Sequence, residues 1–494
     1  MQPPLRKGEP DHRPHRLRHV AVALLPLIQV VAEDARLESA THHLGEVDVA
    51  GDALGGIAQE DEGAKRLAVR ELEVPLGDLF MPDHLVYLLA SEGRRERLQV
   101  VLVLAVVAHD LGHLGGIREP DDQPLGLDHP GTYTNGDMTG ESSLEAVRRV
   151  EESPLNELGG VTVDQVEAQM DRLLEPDTDS ASLYRRWERQ QWAVSDLDLA
   201  QDRLDWETLP GGVRHVMQHT MTLFFIGEQA VTDTLAPLLH AAPREDERIF
   251  LATQIADEAR HTVFFQRFFE EVLGVGGGLH AALDAISPRA TEGFRKIFEH
   301  QLRDATDLVR REPDNERAWI EGIVTYHLII EGYLAITGQR TLLRTLRNVN
   351  LMPGFRAGFT AVARDESRHI GFGVMALRRR VAADPATAHV IALKVLELLD
   401  PAVRTVVSPD RKLPFEDPRE IPEALRVDSV ELKAFALTSL AKRLLAAGLS
   451  PAEVAGIRAQ AELLYETAWS EYESNHGVRH PVRFYQEGVA TALP

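Results

Sequence analysis

From residue 184 onward, apolar positions recur every three or four residues, the pattern of helices that bury one face. It predicts long helices over Val213–Leu239, Asp246–Leu273, Glu316–Thr337 and Gly354–Ala383. At about 1.5 Å per residue, each is long enough to span a domain. Breakers fall between them. Ala242-Pro243 precedes the second helix, Gly274–Gly278 ends it, and Met352-Pro353-Gly354 opens the fourth. Further helices are expected over Ala386–Leu399, Ser429–Ala447 and Pro451–Ser474. Strand signals are few, so the expected fold class is all-α.

The chain has a different character before residue 133. Its only aromatic residues there are Phe80 and Tyr87, and it has no Trp or Asn. A segment so poor in aromatics builds a weak core. Its bias toward Arg, His, Leu, Val, Ala, Gly and Asp is that of a GC-rich gene read in the wrong frame or strand. The expected organisation is therefore an uncertain extension over 1–137, with Met138 a plausible true start. A helical domain follows over 138–494, with its core at 184–400. Two apolar runs, His19–Ala32 and Leu98–Ala108, are too short to span a membrane. The first follows Arg13, Arg16 and Arg18 and imitates a signal peptide. His109-Asp110-Leu111-Gly112-His113 looks like the His-Asp pair of metal phosphohydrolases. The additional His and Asp such sites need cannot be assembled around it, which makes it a chance match.

Composition narrows the chemistry. The net charge of −24 over 494 residues argues against nucleic acid and against anionic membranes as partners. The absence of cysteine excludes disulfides, thiolate catalysis and cysteine-ligated zinc or iron–sulfur sites. Any metal must be held by carboxylates and imidazoles, a donor set that suits iron and manganese.

Such donors appear in a two-fold repeat. Glu228 is followed 30 residues later by Glu258, with His261 three further on. Glu331 is followed 35 residues later by Glu366, with His369 three further on. Glu-x-x-His puts both side chains on one helix face, about a turn apart. A helix plus a short turn fits the spacing, so each lone Glu can face its Glu-x-x-His across an antiparallel pair. This arrangement is the mark of di-iron and di-manganese carboxylate bundles. Four carboxylates and two divalent ions also make a neutral cluster, whereas burying the carboxylates alone is costly. Glu-x-x-His is weak evidence on its own. Copies at Glu9 and Glu473 have no partner half and no apolar helical frame, so they read as surface. The bland reading of the repeat is a set of buried salt bridges to Arg260, Arg364 and Arg368. Asp257 and Asp365, each preceding a ligand Glu, are candidates to hold the ligand imidazoles from behind. Asp365 is expected to reach a ligand His across the bundle.

The stretches Trp192–Trp206, Phe225–Asp233, Asp257–Phe264, Thr325–Gly338 and Arg364–Gly373 resemble the small subunit of class I ribonucleotide reductase. They are most similar to its oxidase relatives, the small-subunit-like ligand-binding oxidases. The resemblance covers about residues 184–400 and implies a ferritin-like helical bundle. In the reductase subunit a radical tyrosine stands four residues after the first ligand His, where this chain has Phe265. In the ligand-binding oxidases a valine and a tyrosine are joined by an ether bond, and Val231 and Tyr326 stand at those positions. On an ideal α-helix Tyr326 lies about 140° round from Glu331. Either its ring reaches across, or the helix is irregular there.

The resemblance further implies a manganese–iron or di-iron cofactor and dioxygen as co-substrate. It implies a long-chain fatty acid in an apolar channel, for which Leu223, Phe224, Phe225 and Phe264 are candidate linings. A cytoplasmic homodimer is expected. A radical-generating reductase subunit, which would need a large-subunit partner, is the first alternative. A metal-binding bundle without turnover is the second.

Overall fold

The computed structural model describes residues 68–73, 86–91, 99–104 and 143–488. The His109–His113 motif, the signal-like run and Met138 lie outside them. The chain divides into two units, Leu27–Met138 and a second that includes Thr139–Pro494.

The first unit contains three strands, β1 (Ala68–Glu73), β2 (Val86–Ser91) and β3 (Gln99–Leu104). They form an antiparallel sheet in the order β1-β3-β2, with Ala68 and Val86 both opposite Leu104. These strands lie within the segment the sequence sets apart as an uncertain extension, and the all-α class expected of the helical domain holds. Gln99–Leu104 reads QVVLVL, and its valines favour extended backbone over helix.

Between residues 143 and 488 the chain is all-α. The longer helices are α1 (Ser143–Glu152), α2 (Val163–Leu173), α3 (Ser180–Arg189), α4 (Ala200–Thr208), α5 (Gly211–Ala241) and α6 (Glu245–Glu271). After several short helices come α7 (Arg303–Arg311) and α8 (Glu316–Ile323). Helix α8 continues through a π-helical stretch, Val324–Ala335, into α9 (Ile336–Asn348). Helices α10 (Pro353–Ala383), α11 (Thr387–Val407), α12 (Ser429–Ala447) and α13 (Pro451–His476) complete the bundle. The expected breaks are where the sequence places them. Two helices run further than expected. The third long helix continues to Asn348 because Leu342, Leu343 and Leu346 keep its apolar face buried. Helix α11 continues through Pro401 to Val407, with Pro401, Ala402 and Val403 all buried.

The turn between α5 and α6 is only three residues, which forces the two helices to pack antiparallel. The π-helical stretch and α10 form the second such pair. Helix α10 is the central element, and nearly every residue from Ala357 to Leu377 is buried. Its start is fixed from outside. Asp202 of α4 accepts from the backbone N–H groups of Gly354 (2.9 Å) and Phe355, and Asp205 accepts from that of Met352 (2.7 Å). These carboxylates take the place of a local cap on first-turn donors that would otherwise be unpaired. Glycine is required at 354, because a Cβ there would overlap the Asp198 carbonyl oxygen. At the far end, Glu247 of α6 takes both Nη groups of Arg380 (3.0 and 2.9 Å), whose guanidinium lies 4.1 Å from the Trp319 ring centre. The register of α10 is thus held at both ends, and Glu366 and His369 sit between.

Candidate metal centre

The six predicted residues meet in one buried cage. Glu228 comes from α5, Glu258 and His261 from α6, Glu331 from the π-helical stretch, and Glu366 and His369 from α10. All six are buried, the imidazoles completely. Their donor atoms form two overlapping groups that could each hold an ion. One comprises Glu228, Glu258, His261 and Glu366, and the other Glu258, Glu331, Glu366 and His369. Glu258 and Glu366 belong to both. The repeat in sequence is therefore not two separate sites, because its halves exchange a carboxylate.

Each imidazole points Nδ1 into the cage. His261 Nδ1 lies 3.3 Å from Glu228, 3.4 Å from Glu258 and 3.7 Å from Glu366. His369 Nδ1 lies 3.1 Å from Glu258 and 3.3 Å from both Glu331 and Glu366. One nitrogen cannot donate one proton to three carboxylates, whereas a cation in its place satisfies them all. Buried Glu331 Oε2 has no hydrogen-bond partner at all. Electrostatics agrees. Burial pushes Glu228 up to about 8, helped by Glu258 and Glu366 and opposed by His261. Burial and the neighbouring Glu366 raise Glu331 well above the carboxylate range. Burial also raises both imidazoles' cost of charging, but Glu228 beside His261 and Glu258 beside His369 hold them protonated. The cage is short of positive charge, and the oxygen and nitrogen donor set fits two divalent transition-metal ions.

The arginines do not supply that charge. Among the described residues, no arginine or lysine lies within ion-pair distance of the four glutamates. Arg364 donates to the backbone carbonyls of Ser153 (3.1 Å) and Gln190 (3.0 Å). Fully buried Arg368 bridges Asp257 (2.9 Å) and Asp365 (2.7 Å), and Arg260 also pairs with Asp257. Two aspartates and two arginines neutralise each other one layer out.

That layer orients the imidazoles crosswise. His261 Nε2 lies 3.2 Å from Asp365, and His369 Nε2 lies 3.2 Å from Asp257. Each half of the repeat therefore holds the other half's histidine, as expected for Asp365. Trp192 donates to Asp365 (2.8 Å) and Trp187 to Asp257 (3.0 Å), completing two matching relays. An imidazole held this way offers its other nitrogen to a metal in one fixed tautomer.

Three further residues were not visible in the sequence. Gln254 donates to Glu331 (2.8 Å) and so must accept from His327 Nε2 (3.1 Å). Burial, with the charge of His369, lowers His327 to about 3, so it is a neutral donor. Trp187 is the third. The signal for Gln254 was its spacing, since Gln254, Glu258 and His261 form a polar stripe on an otherwise apolar helix face. His327 is accommodated by Gly373, where a Cβ would overlap His327 Cβ and lie 2.6 Å from its Cγ. Gly373→Ala is therefore expected to displace His327 and lower stability by about 1–3 kcal/mol. Gly371→Ala, whose Cβ meets Leu173 at 3.1 Å, should cost less. Urea unfolding of the two variants checks the order.

The π-helical stretch resolves the position of Tyr326. Its i→i+5 bonding widens the turn and brings residues five apart toward the same side, so Tyr326 and Glu331 lie on neighbouring parts of one face. The Tyr326 hydroxyl donates to Glu258 (2.7 Å). Burial and then Glu258, Glu331 and Glu366 raise its pKa, so the phenol keeps its proton. Val231 is buried, and both residues line a cavity of about 240 Å³ together with Glu228, Glu258, Glu331 and Glu366. Leu223 and Phe224 line it as expected. Phe225 and Phe264 do not, because they belong to the aromatic core. Phe225 packs on Phe269 (5.1 Å), and Phe264 packs on Phe265 (5.1 Å) and Phe355 (5.8 Å). Phe265, fully buried, lies among Phe224, Phe355 and Phe359.

Fold and cage together define a ferritin-like carboxylate bundle with two adjoining metal-type sites. Residues 176–404 match the family of the ribonucleotide reductase small chain. Similar solved structures are R2-like ligand-binding oxidases with a reconstituted Mn/Fe cofactor. A tyrosine-to-phenylalanine variant is 24% identical, covers 56% of this chain and 94% of its own, and has a TM-score of 0.47. A valine-to-isoleucine variant, aerobically reconstituted, is 24% identical over 56% and 95% with a TM-score of 0.49. Among the described residues, no helix is long and apolar enough to cross a membrane.

Proposed function

We propose that the chain is a dioxygen-dependent di-metal oxidase. Manganese and iron, or two irons, would be held by Glu228, Glu258, His261, Glu331, Glu366 and His369. The observation that carries this reading is the cage itself: four buried glutamates face two imidazoles, have no arginine or lysine partner among the described residues, and border an apolar cavity. When bound, the metals supply two-electron oxidation by dioxygen. The protein's own part is to fix the ligands, exclude water and present a C–H bond. Asp257 and Asp365 hold the imidazoles, and Gln254 holds Glu331. Leu223, Phe224 and Ile330 keep the cavity apolar, and a long-chain fatty acid is the proposed occupant. We read the protein as a cytoplasmic homodimer, as the resemblance to the oxidases implies. Phe265 favours this reading over a radical-storing reductase subunit, since its ring has no phenol to oxidise.

The same centre is proposed to join Tyr326 to Val231. The phenolic oxygen bonds to a side-chain carbon of Val231. One O–H and one C–H bond break, and the two electrons and two protons go to dioxygen. The Tyr326 hydroxyl on Glu258 has a carboxylate positioned to take its proton. Peptide mass spectrometry after aerobic Fe/Mn loading should find the two peptides linked, two hydrogens lighter than their sum. Unlinked peptides in fully metallated, air-exposed protein would count against the oxidase.

A further inference from the structure

The end of α9 and the start of α10 carry arginines that the bundle leaves without acidic partners. Arg347 lies in the last turn of α9 and Arg356 in the first turn of α10. The loop between them is tied by its own backbone. The Asn350 N–H donates to the Arg347 carbonyl (2.9 Å), the Leu351 N–H to that of Leu346 (3.0 Å), and the Arg356 N–H to that of Met352 (3.0 Å). Asn350 and Met352 adopt left-handed backbone, with φ of 50° and 54°, and the Met352 side chain is fully buried. A loop fixed in this way holds the two arginines in place on either side of it.

Both side chains are half-buried and use little of their donor capacity. Arg347 donates from Nη1 to the Gly159 carbonyl (3.2 Å), and Arg356 from Nη2 to Asn350 Oδ1 (2.9 Å). Gly159 abuts the start of α10, since a Cβ there would lie 3.3 Å from the Pro353 carbonyl oxygen. Arg347 therefore reaches from the end of α9 to the first turn of α10. Arg356 Nε is shielded from water and has no hydrogen-bond partner. A guanidinium carries five N–H donors, so each of the two has several to spare. Exposed Arg149 of α1 adds a third charge nearby. Burial, then the charges of Arg356 and Arg149, lower Arg347 to about 10, which still leaves it a cation at neutral pH.

Among the described residues, no carboxylate lies within ion-pair distance of these three arginines. The acids that act on Arg356 from further off, Asp202 and Asp205, are already engaged. Asp202 accepts from the N–H groups of Gly354 and Phe355, and Asp205 from that of Met352 and from the Gln201 amide (2.7 Å). Other arginines of the same helix are matched, Arg340 by Glu167 and Arg344 by Glu431. In a chain of net charge −24, three like charges gathered without an acid repel one another unless an anion joins them.

We propose that Arg149, Arg347 and Arg356 form a binding site for the phosphate group of a small molecule. One carboxylate would leave two of the cations unmatched. A phosphate group carries about two negative charges near neutral pH and three acceptor oxygens, and guanidinium forks grip such oxygens in pairs. Bound there, it clamps the end of α9 to the start of α10 and steadies the helix that carries Glu366 and His369. The inference does not depend on what the metal centre does.

The test is calorimetric titration of the full chain with inorganic phosphate, pyrophosphate and ADP at constant ionic strength, with metal content measured before and after. Wild type, Arg347→Gln and Arg356→Gln are compared with Arg458→Gln, which removes the same charge at an exposed position of α13. Wild type should bind at least one of the three probes at a single site. Arg347→Gln and Arg356→Gln should each weaken that binding about ten-fold or more, and Arg458→Gln should leave it unchanged. The tightest probe names the source of the phosphate, a free anion or a nucleotide. Saturating probe should also raise the melting temperature of wild type and not that of Arg347→Gln. The proposal is overturned if no probe binds saturably, if Arg347→Gln and Arg356→Gln bind like wild type, if Arg458→Gln weakens binding equally, or if metal lost from the cage accounts for the heat. Arg149→Gln, at an exposed position, serves if the half-buried variants misfold, and unchanged binding in it overturns the proposal as well.

Discussion

Glu258→Ala is expected to lose both metals, whereas Glu228→Ala and Glu331→Ala should each compromise one site more than the other. The reason is the overlap of the two donor groups. Glu258 faces His261 with one oxygen and His369 with the other, and it belongs to both groups. Glu228 belongs only to the group with His261, and Glu331 only to that with His369. Removing a shared carboxylate strips a ligand from each ion and leaves the remaining charges unbalanced. The loss should exceed the roughly 10–100-fold in affinity typical of outer-layer substitutions around a metal. Glu366→Ala should behave like Glu258→Ala, and His369→Ala like Glu331→Ala. Elemental analysis of protein loaded with iron and manganese, beside a melting curve of the metal-free form, measures this directly. Two metals retained per chain in Glu258→Ala would refute the shared-ligand assignment.

The six cage residues were legible because a cage of this kind leaves a local trace. Acids in apolar helices, a three-residue offset to His, and a second copy of the pattern are all one-dimensional facts. The crossing of Asp257 and Asp365 was partly legible, since each precedes a ligand Glu. That each serves the opposite half depends on how the two antiparallel pairs dock. Trp187 and His327 were hidden for a related reason. Their partners, Asp257 and Gln254, are 70 and 73 residues away in sequence. Tyr326 could not be placed from ideal α-helical geometry because Val324–Ala335 is π-helical, and its wider turn brings residues five apart toward the same face. The cavity lining was half legible. Leu223, Phe224, Phe225 and Phe264 look alike as letters. Only packing decides that Leu223 and Phe224 face the cavity while Phe225 and Phe264 face the aromatic core. The strands in the N-terminal unit were missed because one of them lies in an apolar run considered only as a possible membrane segment.

Arg368→Leu should be the most destabilising single change near the site. Arg368 is fully buried and is the shared cation of Asp257 and Asp365. Leucine fills much of the volume but leaves the two buried carboxylates with Arg260 as their one remaining arginine among the described residues, which pairs with Asp257 and lies 4.0 Å from Asp365. Breaking a buried pair this way costs about 3–5 kcal/mol. The pH dependence follows from the sign of the Asp365 shift. Burial raises its pKa, but Arg368, His261 and Arg260 together hold it well below the usual range. A carboxyl depressed in the folded state stabilises the fold above its unfolded pKa, about 3.9, and loses that contribution as pH falls toward the folded value. Arg368 is the largest of these opposing influences, so without it that stabilisation is reduced. The difference between wild type and Arg368→Leu should therefore be largest near neutral pH and shrink as both proteins are acidified. Metal affinity should fall as well, since Asp257 and Asp365 no longer hold His369 and His261 in register. Arg364→Leu is the control, because Arg364 donates only to backbone carbonyls and leaves both aspartates paired. Urea unfolding of metal-free protein across pH separates the two. An Arg368→Leu midpoint equal to wild type at pH 7 would show that the aspartates do not depend on this arginine, and that the imidazoles are positioned by something else.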